Sequence, residues 1–183
     1  MLNPLVRPAT PDDAAAIARV HTETWKSTYA GAIPDDVLAQ FTDQARRETY
    51  WRDQLIREAQ SGETRTWAAL DAAGNVSGLV AAGPAQRTPD YPEAALLYAG
   101  EVYAVYVHPR AQGQGLGSAL MRSAAAELRA RGLAGLLVWC LESNIHARGF
   151  YERLGGQFIT RRDANLAGAL LPEVGYGWVE FRE

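Results

Sequence analysis

The sequence predicts an α/β (α+β) domain, one central mixed sheet with helices packed on it, and three observations carry that prediction. At 183 residues the chain is long enough for one well-buried core and too short for two. Hydrophobic residues make up 48% and charged residues 21%, a globular rather than a disordered composition. Apolar runs and helical stripes alternate in the order strand, helices, hairpin, strand, glycine turn, helix, strand, helix, strand, strand.

Each element has a local reason. Leu5 to Ala9 is a short apolar-leaning strand. Thr10-Pro11-Asp12-Asp13 reads as a helix start, with a capping hydroxyl, a proline that wastes no donor, and two acids at the positive end of the dipole. Ala14, Ile17, Ala18, His21 and Trp25 then form an amphipathic stripe that ends around Tyr29 to Pro34. A short helix starts at Pro34, and a longer one runs from about Thr42 to Ala59 with Tyr50, Trp51, Leu55 and Ile56 on its buried side. Thr64 to Leu70, a turn at Asp71 to Asn75, and Val76 to Gly83 read as an antiparallel hairpin. Pro84 to Pro92 is a loop.

Leu96 to Val107 reads as a long central strand. Simple alternation puts Glu101, Tyr103, Val105 and Val107 on one face, and Val102, Ala104 and Tyr106 on the other. After the glycine turn, Leu116, Leu120, Met121, Ala124 and Leu128 mark a helix closed by Gly132. Gly135 to Leu141 is a strand, and Ser143 caps a helix over Asn144 to Leu154 that Gly155-Gly156 ends. Two last strands are expected at Gly156 to Thr160 and Tyr176 to Phe181, with a loop of about a dozen residues between them.

Composition excludes several classes. The net charge of -3 gives neither a nucleic-acid backbone nor an anionic membrane a dominant field to meet. Cys140 is alone, so no internal disulfide forms. It lies in an apolar run and is expected to be an inert core thiol. His21, His108 and His146 are scattered and show no metal-ligand spacing, so no metal is expected. Without a signal pattern in the first residues or a membrane-length apolar run, the expected setting is cytoplasmic.

The most informative stretch is Gln112-Gly113-Gln114-Gly115-Leu116-Gly117. Glycines between a strand and a helix let backbone N–H groups and the positive helix end approach an anion, or they simply make a tight turn. A Walker-type loop needs Gly-Lys followed by Ser or Thr, which is lacking here. The dinucleotide fingerprint fails at Ser118, and half the chain already precedes the turn, so a doubly wound domain has no room.

The run from Glu101 through Pro109, followed by Gln112, Gly115 and Gly117, resembles the strand and acetyl-CoA loop of the GNAT superfamily of N-acyltransferases. The block Asn144 to Gly156, with Asn144, Ala147, Phe150-Tyr151 and Leu154-Gly155, is similar to the same family's later helix motif. The resemblance implies a mostly antiparallel sheet of about six to seven strands in which the fourth and fifth splay apart around the pantetheine arm of the acyl donor. It implies acetyl-CoA bound by the backbone around Val105, Tyr106 and Val107, by the N–H groups of Gln112, Gly113, Gln114, Gly115, Leu116, Gly117 and Ser118, and by Asn144. A backbone N–H would polarise the thioester carbonyl. Tyr151 would be the general acid for the leaving thiolate. Glu101 would deprotonate the acceptor ammonium directly or through water, with Tyr103 as second candidate.

Each role has a structural competitor. Tyr151 can fill the core, Glu101 can be a solvated strand-end acid, and Asn144 can cap its helix instead of Ser143. His146 and His108 are expected in surface and loop roles, and Trp51, Trp67 and Trp139 in the core. On the acceptor side, Trp25 and Tyr29 lie four apart on one helical face, where they either line an amine slot or cap the core. Glu23, Asp35 and Asp36 can draw a cation there or merely decorate a helix surface. The expected partner is a small-molecule or peptide amine, and the resemblance allows a homodimer. The alternatives are a transferase of longer acyl groups or to an oxygen acceptor, and an acyl-CoA sensor without turnover.

Overall fold

The computed structural model describes residues 5–87 and 92–181. Seven strands form one sheet: β1 (Leu5–Pro8), β2 (Arg65–Leu70), β3 (Val76–Pro84), β4 (Gly100–Val107), β5 (Leu136–Leu141), β6 (Gln157–Leu166) and β7 (Ala169–Trp178). Their spatial order is β1-β2-β3-β4-β5-β7-β6, and every neighbouring pair is antiparallel except β4 and β5. Five helices accompany them: α1 (Ala14–Tyr29), α2 (Asp35–Thr42), α3 (Gln44–Ser61), α4 (Leu116–Ala130) and α5 (Ile145–Arg153). The apolar sides of α1 and α3 meet Ala68, Leu79 and Ala81 on one face of the sheet. Those of α4 and α5 meet Val80, Ala82, Val138 and Tyr176 on the other. The sheet is therefore covered on both sides.

The parallel pair is short. β4 and β5 are in register only at Gly100–Leu136, Glu101–Leu137 and Val102–Val138, although both strands run on. Pairing ends where β4 bulges: Ala81 pairs with Ala104 and Ala82 with Val102, so Tyr103 is an extra residue. A bulge bends its strand and resets which way side chains point. Val102, Val105 and Val107 accordingly join the core beneath α4. Tyr103, Ala104 and Tyr106 join the one beneath α1 and α3. The simple alternation expected along this strand thus holds only up to Tyr103.

Other boundaries shift for identifiable reasons. Leu96 to Ala99 follows a 3-10 turn, Glu93–Ala95, and is not strand. Tyr50 and Ile56 on α3 are exposed while Trp51 and Leu55 are buried, so the buried stripe is narrower than expected. The cap of α5 is Asn144, whose Oδ1 accepts from Ala147 N–H at 3.0 Å, and not Ser143. The expected loop after Thr160 is instead a long hairpin of β6 and β7 that turns at Ala167 and Gly168, both with positive φ (51° and 94°). An Ala-Gly pair adopts that turn less readily than Asn-Gly, so its sequence signal is weak. Strand β7 ends at Trp178 rather than Phe181. Residues 88–91 of the loop expected at Pro84 to Pro92 lie outside the described residues.

Candidate active site

Where β4 and β5 part, a cavity of about 610 Å³ opens between them. Tyr103 to Val107 form one wall, and Val138 to Leu141 the other. Backbone polarity of the β4 wall follows from register. His108 N–H donates to Ser77 O at 2.9 Å, so His108, Tyr106 and Ala104 turn their backbone groups to β3. Val105 and Val107 turn theirs into the gap. Val107 O already accepts from Thr24 Oγ1 (3.3 Å) and from Gln112 Nε2 (3.1 Å).

One end of the cavity is the glycine turn. The first helical bond of α4 runs from Ala119 N–H to Gly115 O, which leaves the N–H groups of Leu116, Gly117 and Ser118 pointing out of the helix end. Gly113 and Gly115 sit at φ +74° and +82°, a backbone conformation that costs other residues roughly 1–2 kcal/mol. Gly117 is required for a different reason. A Cβ there would lie 3.1 Å from the Phe150 ring of α5. The Gln112 and Gln114 side chains fold back onto the Val107 and Arg110 carbonyls, so the turn presents backbone to the cavity. Arg153 and His146, both exposed residues of α5, line the same cavity.

Tyr151 reaches the cavity from α5, and it is 4% exposed. Among the described residues its hydroxyl has no hydrogen-bond partner. Burial holds its pKa well above the usual tyrosine value, so the phenol keeps its proton. Cys140 lines the same side, and burial pushes its thiol up to about 12. That thiol is therefore protonated at neutral pH.

The opposite side of the gap is aromatic and acidic. Tyr29 and Trp25 from α1 both line the cavity. Asn144 Nδ2 donates to Tyr29 Oη at 3.0 Å, so Asn144 ties α1 to α5 as well as capping. Trp25 is stacked on Phe41 at 4.2 Å and on His21 at 5.7 Å. Stacking on two neighbours fixes the indole as a packed part of the wall. His21 is buried with its Nδ1 accepting from Trp51 Nε1 at 3.3 Å, and desolvation lowers its pKa to about 3. His108 Nε2 meets Glu23 at 2.6 Å and pins α1 to the end of β4.

Glu101 shares the α1 face of β4 with Tyr103 but lies behind the cavity wall, 6% exposed, with one oxygen accepting from Gln86 N–H at 3.0 Å. Desolvation raises its carboxyl to about 7, only partly offset by that hydrogen bond and by Arg162. Tyr103 is among the residues that line the cavity, while its hydroxyl donates to Pro84 O at 2.6 Å and burial raises it to about 12. Trp139, Arg153, Leu166 and Glu173 are further wall residues that the sequence reading did not single out as functional. Arg162 and Glu173 are equidistant from the Ala167-Gly168 turn, a symmetry that would have found their pairing had the hairpin been recognised.

Comparison with known proteins agrees with this architecture. Residues 21–156 match the model of the Acetyltransferase (GNAT) family. The uncharacterized N-acetyltransferase YuaI of Bacillus subtilis (strain 168) is 31% identical over 94% of this chain and 91% of its own length. Among solved structures, a GCN5-related N-acetyltransferase from Rhodopseudomonas palustris superposes with a TM-score of 0.73 at 21% identity, over 97% of this chain and 96% of that one. The PaiA N-acetyltransferase of Thermoplasma acidophilum, solved in complex with coenzyme A, does so with a TM-score of 0.71 at 16% identity, over 94% and 98%. A seven-stranded sheet parted between β4 and β5, a glycine turn opening onto the gap, and a family match across three-quarters of the sequence lead to one assignment: the chain belongs to the GNAT family of acetyltransferases.

Proposed function

We propose that this protein transfers the acetyl group of acetyl-CoA directly to a primary amine within a ternary complex. The observation that carries the reading is the parted strand pair, with free N–H groups at one end and an unpartnered buried phenol in its wall. The residues fit the acyl donor. N–H groups from Gly113 to Ser118 would hold the pyrophosphate, and Arg153, a lining residue of the same cavity, would add positive charge. Backbone groups of Val105 and Val107 would pair with the pantetheine amides as an added strand does.

The chain's own groups then divide the chemistry. The Val105 N–H faces the gap and would polarise the thioester carbonyl as negative charge develops there. Glu101 would take the proton of the acceptor ammonium through a water, because it stands behind the wall rather than on it. Its carboxyl at about 7 suits a base working near neutrality. The Tyr151 phenol would protonate the departing thiolate and regain its proton from the former amine nitrogen, which sheds its second proton as the tetrahedral intermediate collapses to the amide. The Cys140 thiol, raised to about 12, is a poor nucleophile, and the acetyl group would pass to the amine without an acetyl-enzyme stage.

Initial rates of thiol release, with acetyl-CoA and amine varied together, test the order of events. Intersecting double-reciprocal lines are expected; parallel lines would contradict direct transfer. The turn has its own check. Gly117→Val should weaken coenzyme A binding by about tenfold or more, because Phe150 must give way or the helix start must move. Calorimetry showing wild-type affinity in this variant would remove the turn from the binding site.

A further inference from the structure

The wall facing α1 contains a carboxylate that nothing in the mechanism above uses. Glu173 lies on β7, opposite Leu141 of β5 and Arg162 of β6. It lines the cavity, and its side chain is 15% exposed. Both guanidinium contacts from Arg162, Nε at 3.0 Å and Nη2 at 3.0 Å, go to Oε2. Among the described residues Oε1 has no partner. Arg162 is itself fixed, its guanidinium 4.0 Å above the Trp139 ring. The indole has room to lie there because residue 175 is glycine; a Cβ at Gly175 would come within 2.9 Å of it. A glycine, a tryptophan and an arginine thus hold one carboxylate still, with one oxygen left for something else.

We propose that Glu173 is the acceptor-binding carboxylate, its Oε1 receiving a cationic group of the amine substrate while Arg162, clamped on Trp139, positions it. This rests on the amine-transfer reading and narrows its substrate class. On this side of the cavity Glu173 lines the wall, Glu101 lies behind it, and Arg162 is already spent on Glu173, while Arg153 lines the cavity from α5. An acceptor with a carboxylate beside its amine would bring a third acid to this side of the cavity, where the guanidinium at hand, Arg162, is already engaged by Glu173. The class favoured is an alkyl amine, diamine or aminosugar, rather than an α-amino acid.

Cadaverine and lysine test this directly, since they differ by one carboxylate. With acetyl-CoA saturating, the wild-type protein should show kcat/KM for cadaverine about tenfold or more above that for lysine, the scale of one charge-assisted hydrogen bond. Glu173→Gln should raise KM for cadaverine by about tenfold, lower kcat by a smaller factor, and narrow the preference over lysine. Glu173→Asp should recover part of the loss. Coenzyme A affinity, read by calorimetry, reports whether each variant is folded, and the wild-type comparison of the two amines needs no variant. Equal KM for cadaverine in wild type and a folded Glu173→Gln, or lysine used as well as cadaverine, would overturn the inference while leaving amine transfer standing. Absence of amine-dependent release by wild type across all amines would instead remove the transfer reading itself.

Discussion

Tyr151→Phe should lower kcat by about 10²–10⁴-fold, the range over which a positioned general acid acts, with coenzyme A affinity nearly unchanged. Among the described residues the Tyr151 phenol gives its proton to no protein partner, and it lies in the wall of the gap on the α5 side. Burial keeps it protonated, so it is ready to donate when a thiolate forms beside it. Among the described residues the hydroxyl has no hydrogen bond to lose, and the ring keeps its packing against Phe150, Tyr176 and Trp178. The variant should therefore melt close to wild type, which separates lost chemistry from lost structure. A kcat matching wild type would end the acid assignment.

Glu101→Gln should erase the acidic limb of the rate–pH profile. The raised carboxyl places that limb at about pH 7 in the wild type, well below the ionisation of a free alkyl amine. Stability offers an independent reading with a definite sign. Between the ordinary carboxyl value, 4.5, and about 7, the folded protein binds a proton that the unfolded chain has released. Folding stability contributed by this group is thus lost as pH rises across that window. Glutamine cannot ionise, so melting temperatures of the variant should decline less than those of wild type between pH 5 and pH 8. An unaltered acidic limb would transfer the base role away from Glu101; an unaltered stability slope would mean that the carboxyl is not raised.

Much of this molecule was legible before any coordinates. The glycine turn and the helix after it were readable because each depends on local rules, positive φ, a free helix end and a 3.6-residue stripe, whereas the pair Phe150-Tyr151 was legible through the family resemblance. The parting of β4 and β5 followed from the family resemblance and not from periodicity. Its immediate cause, the bulge at Tyr103, left no trace in the alternation of Glu101 to Val107, since a bulge is defined by the partner strand. The β6–β7 hairpin was missed because Ala-Gly is a quiet turn and Pro172 breaks the pattern of β7. With it went Glu173 and Arg162, whose meeting depends on register rather than spacing. Asn144 was visible as a candidate, yet only the structure shows it spending one end on Ala147 and the other on Tyr29.

The most direct test of the account is thiol release from acetyl-CoA in the presence and absence of each member of an amine panel, with the acetylated product identified by mass spectrometry. The panel should span diamines, aminosugars, amino acids and peptide N-termini, and Tyr151→Phe should run beside the wild type. Release that requires one class of amine, yields the matching amide, and collapses in the variant is the predicted result. Tight binding of acetyl-CoA with no amide formed from any amine would contradict it, and would make the parted strands a sensor of acyl-CoA.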